Sequence, residues 1–192
     1  TPTTIKIKLM KFSSILFLLL FLLLFSCQPA FKAPAPPADT RFHTTPPSKI
    51  YFNNIRSTSY TITTDEATQT NQYQLRKWPD TSTTPFLLPV IIDNWLYDQA
   101  YLQLKWVALE EEPKPPFRVR AYTQTTEQYF SVEDWTWSGQ HDFGQQLYGA
   151  LLSGQKLQLI KADSSQIPLF EDDALRSLFR ITLQDYQKLT EK

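Results

Sequence analysis

The sequence predicts an α+β fold, mainly an antiparallel β-sheet meander followed by one or two late helices packed on it. Three observations carry the prediction. Segments rich in β-branched and aromatic residues, or alternating in polarity, recur from Lys49 to Thr123. All four glycines fall between positions 139 and 154. The C-terminal stretch then places apolar residues at helical spacing.

Each element follows from its own residues. Lys49–Ile55, Thr58–Thr64 and Tyr73–Trp78 carry the strand composition. Pro85–Ile92 is nearly all apolar, as a strand buried on both faces would be, with Pro89 marking a bulge or an edge. Leu102, Leu104, Trp106 and Ala108 alternate with Gln103, Lys105 and Val107, and Phe117, Val119, Ala121 and Thr123 alternate with Arg118, Arg120 and Tyr122. These two strands are expected to pair antiparallel around the Glu110–Pro116 loop. After Glu133 the pattern changes. His141–Ser153 spaces Phe143, Leu147, Ala150 and Leu151 as a helix, with Gly139 before it and Gly154 as its C′ stop. Gly144 and Gly149 inside it cost up to about 1 kcal/mol each relative to Ala, which points to close packing. Lys156–Lys161 alternates as a strand. Asp172–Leu189 carries the helical stripe Leu175, Leu178, Phe179, Thr182, Tyr186 and Leu189, although Phe179–Leu183 also alternates, leaving an internal strand open.

Composition bounds the function. The 192 residues balance 19 basic against 19 acidic side chains and include one cysteine and two histidines. Eleven apolar residues run from Ile15 to Phe25, too few for a bilayer span, which needs roughly 20, and of signal-peptide length. Removing residues 1–26 would leave 166 residues with 16 basic and 19 acidic side chains, an ordinary single-domain size with 23 aromatics for its core. That balance lacks the basic footprint of a nucleic-acid binder. One cysteine excludes an internal disulfide and a Cys-based cluster. His43 and His141 lack the spacing of a zinc helix or finger, so neither a metal nor another cofactor is expected.

The run ends in Leu24-Phe25-Ser26-Cys27. This tetrapeptide resembles the lipobox of bacterial lipoproteins, with Leu three residues before the Cys and a small residue directly before it. Phe25 departs from the small residue usual at its position. The resemblance covers Met10–Cys27, with Met10-Lys11 expected to be the translation start, and implies cleavage between Ser26 and Cys27. It further implies a diacylglycerol thioether on the Cys27 thiol and an acyl group, such as palmitate, on the freed amine. Several chains, each worth about 0.8 kcal/mol per buried CH₂, anchor far more firmly than one. Gln28, where Asp would signal inner-membrane retention in enterobacteria, favours the outer membrane, and the relaxed box looks like those of Bacteroidota. The expected organisation is a signal peptide over 1–26, the lipidated Cys27 with a tether over 27–47 containing six prolines, and a single domain over 48–192, facing the periplasm. His43 is expected to be a solvated tether residue.

Within the domain, Trp135, Trp137, Gln140 and His141 form the densest group of functional-looking side chains. Two indoles at i and i+2 share one face of a strand and would make a stacking platform for a sugar or peptide. The competing reading places both in the core, with the polar neighbours capping the helix. Ser138, His141 and Asp142 supply the residue types of a hydrolase triad without its Gly-x-Ser-x-Gly context. Glu110–Glu112, Asp65-Glu66 and Asp172-Asp173 read as solvated loop residues or helix caps. No catalytic residues are assigned. The expected function is a lipid-anchored binding or accessory subunit of an envelope complex. A lipocalin-like carrier of lipid or another small ligand is the second reading and a hydrolase the third. The expected partners are the membrane, through Cys27, and an envelope protein, with no nucleic acid.

Overall fold

The computed structural model describes residues 39–79 and 81–190. Cys27, Ser26 and the signal segment therefore lie outside the described residues, as does the tether up to residue 38. The packed body already includes Phe42, six residues before the expected boundary at Ser48. Phe42 and Thr44 are buried, and the backbone of His43 bridges Gln99. The proline count alone assigned these residues to the tether, whereas Phe42 has aromatic surface to bury against Tyr101, at 5.1 Å between ring centroids.

Helix α1 (Pro46–Tyr51) continues as a wider helical turn through Phe52–Arg56, so Lys49–Ile55 is helical and not the expected strand. Local capping overrides its β-branched composition. Thr45 Oγ1 accepts from the Ser48 amide at 3.3 Å, Ser48 Oγ accepts from the Thr45 amide at 3.1 Å, and prolines fill the first helical positions. Ser48 Oγ also donates to the Leu189 carbonyl at 2.7 Å, fastening the segment to the end of the chain.

Eight strands follow: β1 (Tyr60–Asp65), β2 (Thr70–Leu75), β3 (Phe86–Asn94), β4 (Gln99–Val107), β5 (Phe117–Tyr122), β6 (Glu127–Val132), β7 (Lys156–Ile160) and β8 (Gln166–Leu169). They form two four-stranded antiparallel sheets, ordered β1-β2-β3-β4 and β6-β5-β7-β8. The described strands form two separate sheets and not the closed barrel of a lipocalin-like fold. The expected pairing of Leu102–Ala108 with Phe117–Thr123 does not form. Strand β4 pairs with β3, and β5 lies between β6 and β7 in the other sheet. Alternation identifies Leu102, Leu104 and Trp106 as the buried face of β4, although Ala108 lies past the end of the strand and is exposed, and it carries no information about the neighbour. Pro89 lies beyond the last β2–β3 pair, Tyr73↔Ile91, where β3 has a partner on one side only. Strands β6 and β8 add to the expected set.

Helix α2 (Trp137–Leu152) starts four residues earlier than expected, and α3 (Asp173–Thr190) is one continuous helix through Phe179–Leu183. Every residue of the α3 stripe is buried, with Phe179, Thr182 and Tyr186 at 0% exposure. Helix α3 lies on β3 and β4, and α2 lies on β4, β6 and α3. Gly144 permits the last approach: a Cβ there would lie 2.5 Å from Leu102 Cδ2. Gly149 is exposed and has nothing within 4 Å, so packing against the described chain does not explain it. Gly154 ends α2 at φ +70°, with the Gly154 amide donating to the Leu151 carbonyl and the Gln155 amide to the Ala150 carbonyl, a Schellman stop. Trp106, Phe117 and Phe143 meet edge to face at 5.7 and 5.8 Å, joining the two sheets beneath α2. No helix of the described residues is long and apolar enough to cross a membrane.

Candidate functional site: the start of helix α2

The site is built by the turn that launches α2. Asp134 Oδ1 accepts from the Thr136 amide at 3.0 Å and from its hydroxyl at 2.5 Å, and Thr136 Oγ1 accepts from the Gly139 amide at 3.2 Å. These bonds hold the Asp134 carboxyl below its ordinary pKa. A Cβ on Gly139 would fall 2.5 Å from Asp134 Oδ1 and 2.6 Å from the Asp134 carbonyl oxygen, so the fold-back of this turn excludes a side chain. Gly139 therefore belongs to the first turn of the helix and does not precede it.

This turn separates the two tryptophans, correcting the expectation of a shared strand face. Trp135 lies in the loop before α2, half-buried among Trp106, Phe117 and Phe143 at centroid distances of 6.2, 5.5 and 6.1 Å. Trp137 is the first helical residue. It stays 41% exposed, with its indole stacked on Tyr101 at 5.1 Å and 29°. One indole belongs to the packed interior and the other to the surface.

Gln140 and His141 also part company. Gln140 is buried; its Oε1 accepts from the Leu104 amide of β4 at 2.8 Å and its Nε2 donates to the Trp135 carbonyl at 3.0 Å. It completes a sheet edge and has no free polar atom to offer a ligand. His141 is half-buried, sharing a hydrogen bond with Tyr186 (Nδ1 to Oη 2.9 Å) and meeting the Phe42 ring edge to face at 5.5 Å. Burial lowers its pKa most, and the Arg41 cation lowers it further, against the opposing pull of Asp142 and Asp39.

Arg41, Phe42 and Tyr101 complete the site, and sequence reasoning missed all three. Arg41 Nη2 donates to Asp39 Oδ2 at 2.7 Å and to Ser138 Oγ at 2.8 Å, while Nη1 donates to Asp142 Oδ1 at 3.0 Å. The one available signal was Asp39-Thr40-Arg41-Phe42, a charge pair and an aromatic ring inside a proline-rich stretch. The triad residue types do not assemble as a triad. The Ser138 hydroxyl accepts from Arg41, the Asp142 carboxylate faces Arg41, and His141 Nδ1 faces Tyr186. The arrangement presents one indole, backed by a tyrosine and rimmed by an arginine already matched to two carboxylates.

Elsewhere, a groove of about 710 Å³ opens between the β4–β5 and β7–β8 connections, lined by Glu111, Glu112, Lys114, Arg118, Lys161 and Asp163 among others. Its charges are mixed in sign, and it contains none of the residues of the α2 site. Asp65 accepts from the amides of Ala67 and Thr68, and Asp172 from the amide of Ala174, the turn and helix-cap roles expected of them. Among the described residues, no group of three or more His, Cys, Asp or Glu is placed to hold a metal ion. Comparison of the chain with protein-family models, curated proteins and solved structures finds no match.

Proposed function

We propose that this chain is a lipid-anchored protein of the bacterial cell envelope, held by acyl groups on Cys27 at the outer membrane and facing the periplasm. Its folded body acts by binding, as an accessory part of an envelope assembly. The observation that carries the reading is the position of the single cysteine, directly after an eleven-residue apolar run and a serine. A thiol there is suited to thioether formation, and the preceding run has signal-peptide length. The α2 site is consistent with a body that acts by surface contact, since Trp137 offers exposed indole while the neighbouring Arg41 is already paired.

Globomycin treatment of cells making the chain, alongside Cys27→Ser, tests the anchor. Both are expected to prevent maturation to the acylated form, and the serine variant is expected to lose membrane retention. Unchanged mass and retention in both would contradict the proposal.

A further inference from the structure

The described chain begins at Asp39, twelve residues after Cys27, and twelve residues reach at most about 43 Å when fully extended. The stretch that starts there is bordered by exposed apolar side chains. Arg41 bonds Ser138 at 2.8 Å, next in sequence to Trp137, which is 41% exposed. The Thr44 amide donates to the Asp98 carbonyl at 2.8 Å, beside the exposed Leu96 and Tyr97 of the β3–β4 turn. Each cation along this border is paired: Arg41 lies between Asp39 and Asp142, and Lys49 Nζ lies 3.1 Å from Asp98 and 3.6 Å from Asp93, so carboxylates are in excess.

Resting on the anchoring reading, we infer that Trp137, Leu96 and Tyr97 form a contact surface for the lipid bilayer that holds the Cys27 acyl chains. Trp and Tyr favour the headgroup level, where an apolar ring and a polar edge are both accommodated. A tether of this length keeps the body at high local concentration above the membrane, so a contact too weak to hold a free domain is populated once the chain is anchored. With both cations already paired and carboxylates in excess, the contact is apolar and does not require anionic lipid.

Site-directed spin labelling of the acylated full chain in phosphatidylcholine nanodiscs tests it. The Cys27 sulfur is committed to its thioether, so Leu96→Cys, Trp137→Cys and Leu152→Cys each provide a unique labelling site. Leu152 is 56% exposed and lies 15 residues along α2 from Trp137, about 22 Å away, as an internal comparison. Labels at 96 and 137 are expected to be several-fold more accessible to oxygen than to a water-soluble nickel complex, with the opposite order at 152. Position 96 is in an exposed turn and serves should loss of the Trp137–Tyr101 stack perturb the fold. Acylated protein whose labels at 96 and 137 are as aqueous as that at 152 would overturn the bilayer contact alone. The same aqueous result with the labels immobilised only in native envelopes would overturn it in favour of a protein occupant. A mass spectrum showing Cys27 without acyl groups would overturn the anchoring reading and the contact with it.

Discussion

Gln140 Oε1 accepts the backbone amide of Leu104 at 2.8 Å, so a helix side chain takes the place of a strand neighbour along the outer edge of β4. The same side chain donates to the Trp135 carbonyl at 3.0 Å, fixing the loop that holds Trp135 and leads into α2. Gln140→Leu would leave a buried amide and a loop carbonyl without partners. The expected loss is about 1 to 3 kcal/mol, read from the shift of a urea denaturation midpoint.

The two tryptophans should separate in the same measurement. Trp135→Ala removes a ring packed against Trp106, Phe117 and Phe143 and is expected to lower stability by about 3 kcal/mol. Trp137→Ala exposes one face of Tyr101 and is expected to change stability by less than about 1 kcal/mol. Equal losses would show that both indoles belong to the core.

The helix glycines should respond with opposite signs. Gly149→Ala meets open space and is expected to stabilise by up to about 1 kcal/mol, as alanine restricts the unfolded chain and favours helix. Gly144→Ala drives a methyl group against Leu102, itself fully buried, and is expected to destabilise by about 1 to 3 kcal/mol. Thermal midpoints of the two variants are sufficient to decide this.

His141 links stability to pH. Burial disfavours its cation in the folded state, so its pKa is lowered below the ordinary 6.5. Between the lowered value and 6.5 the unfolded chain binds a proton that the folded chain does not. Stability is therefore lost as pH falls through 6.5, and this contribution levels off below the folded pKa. The groups facing the ring are Asp39, Arg41, Asp142 and Tyr186. Urea midpoints measured from pH 7.5 to 5 should fall for the natural chain, and His141→Gln should remove part of that slope.

These particulars show what the sequence disclosed. Periodicity identified the buried faces of β4 and β5 and the full stripe of α3, because a face is a local property of spacing. It failed on the partner of β4, since two strands with the same alternation fit either sheet. Strand β6 escaped notice because its first three residues are exposed and break the alternation, and β8 because Pro168 interrupts four residues. The helix at Pro46 was legible in Thr45-Pro46-Pro47-Ser48, a capping signal that the β-branched residues after it obscured. Of the four residues singled out at the start of α2, Trp137 is exposed and His141 half-buried, while Gln140 and Trp135 serve the interior. Their division depends on Asp134 and Gly139 folding the chain into a helix where strand parity had been assumed.

The anchor at Cys27 is the central claim, and the N-terminal tryptic fragment of protein extracted from membranes tests it most directly. Mass spectrometry is predicted to find a peptide spanning Cys27–Lys32 whose first residue carries a diacylglycerol and an amide-linked acyl chain. A Cys27 that is unmodified and still joined to Ser26 would contradict the account.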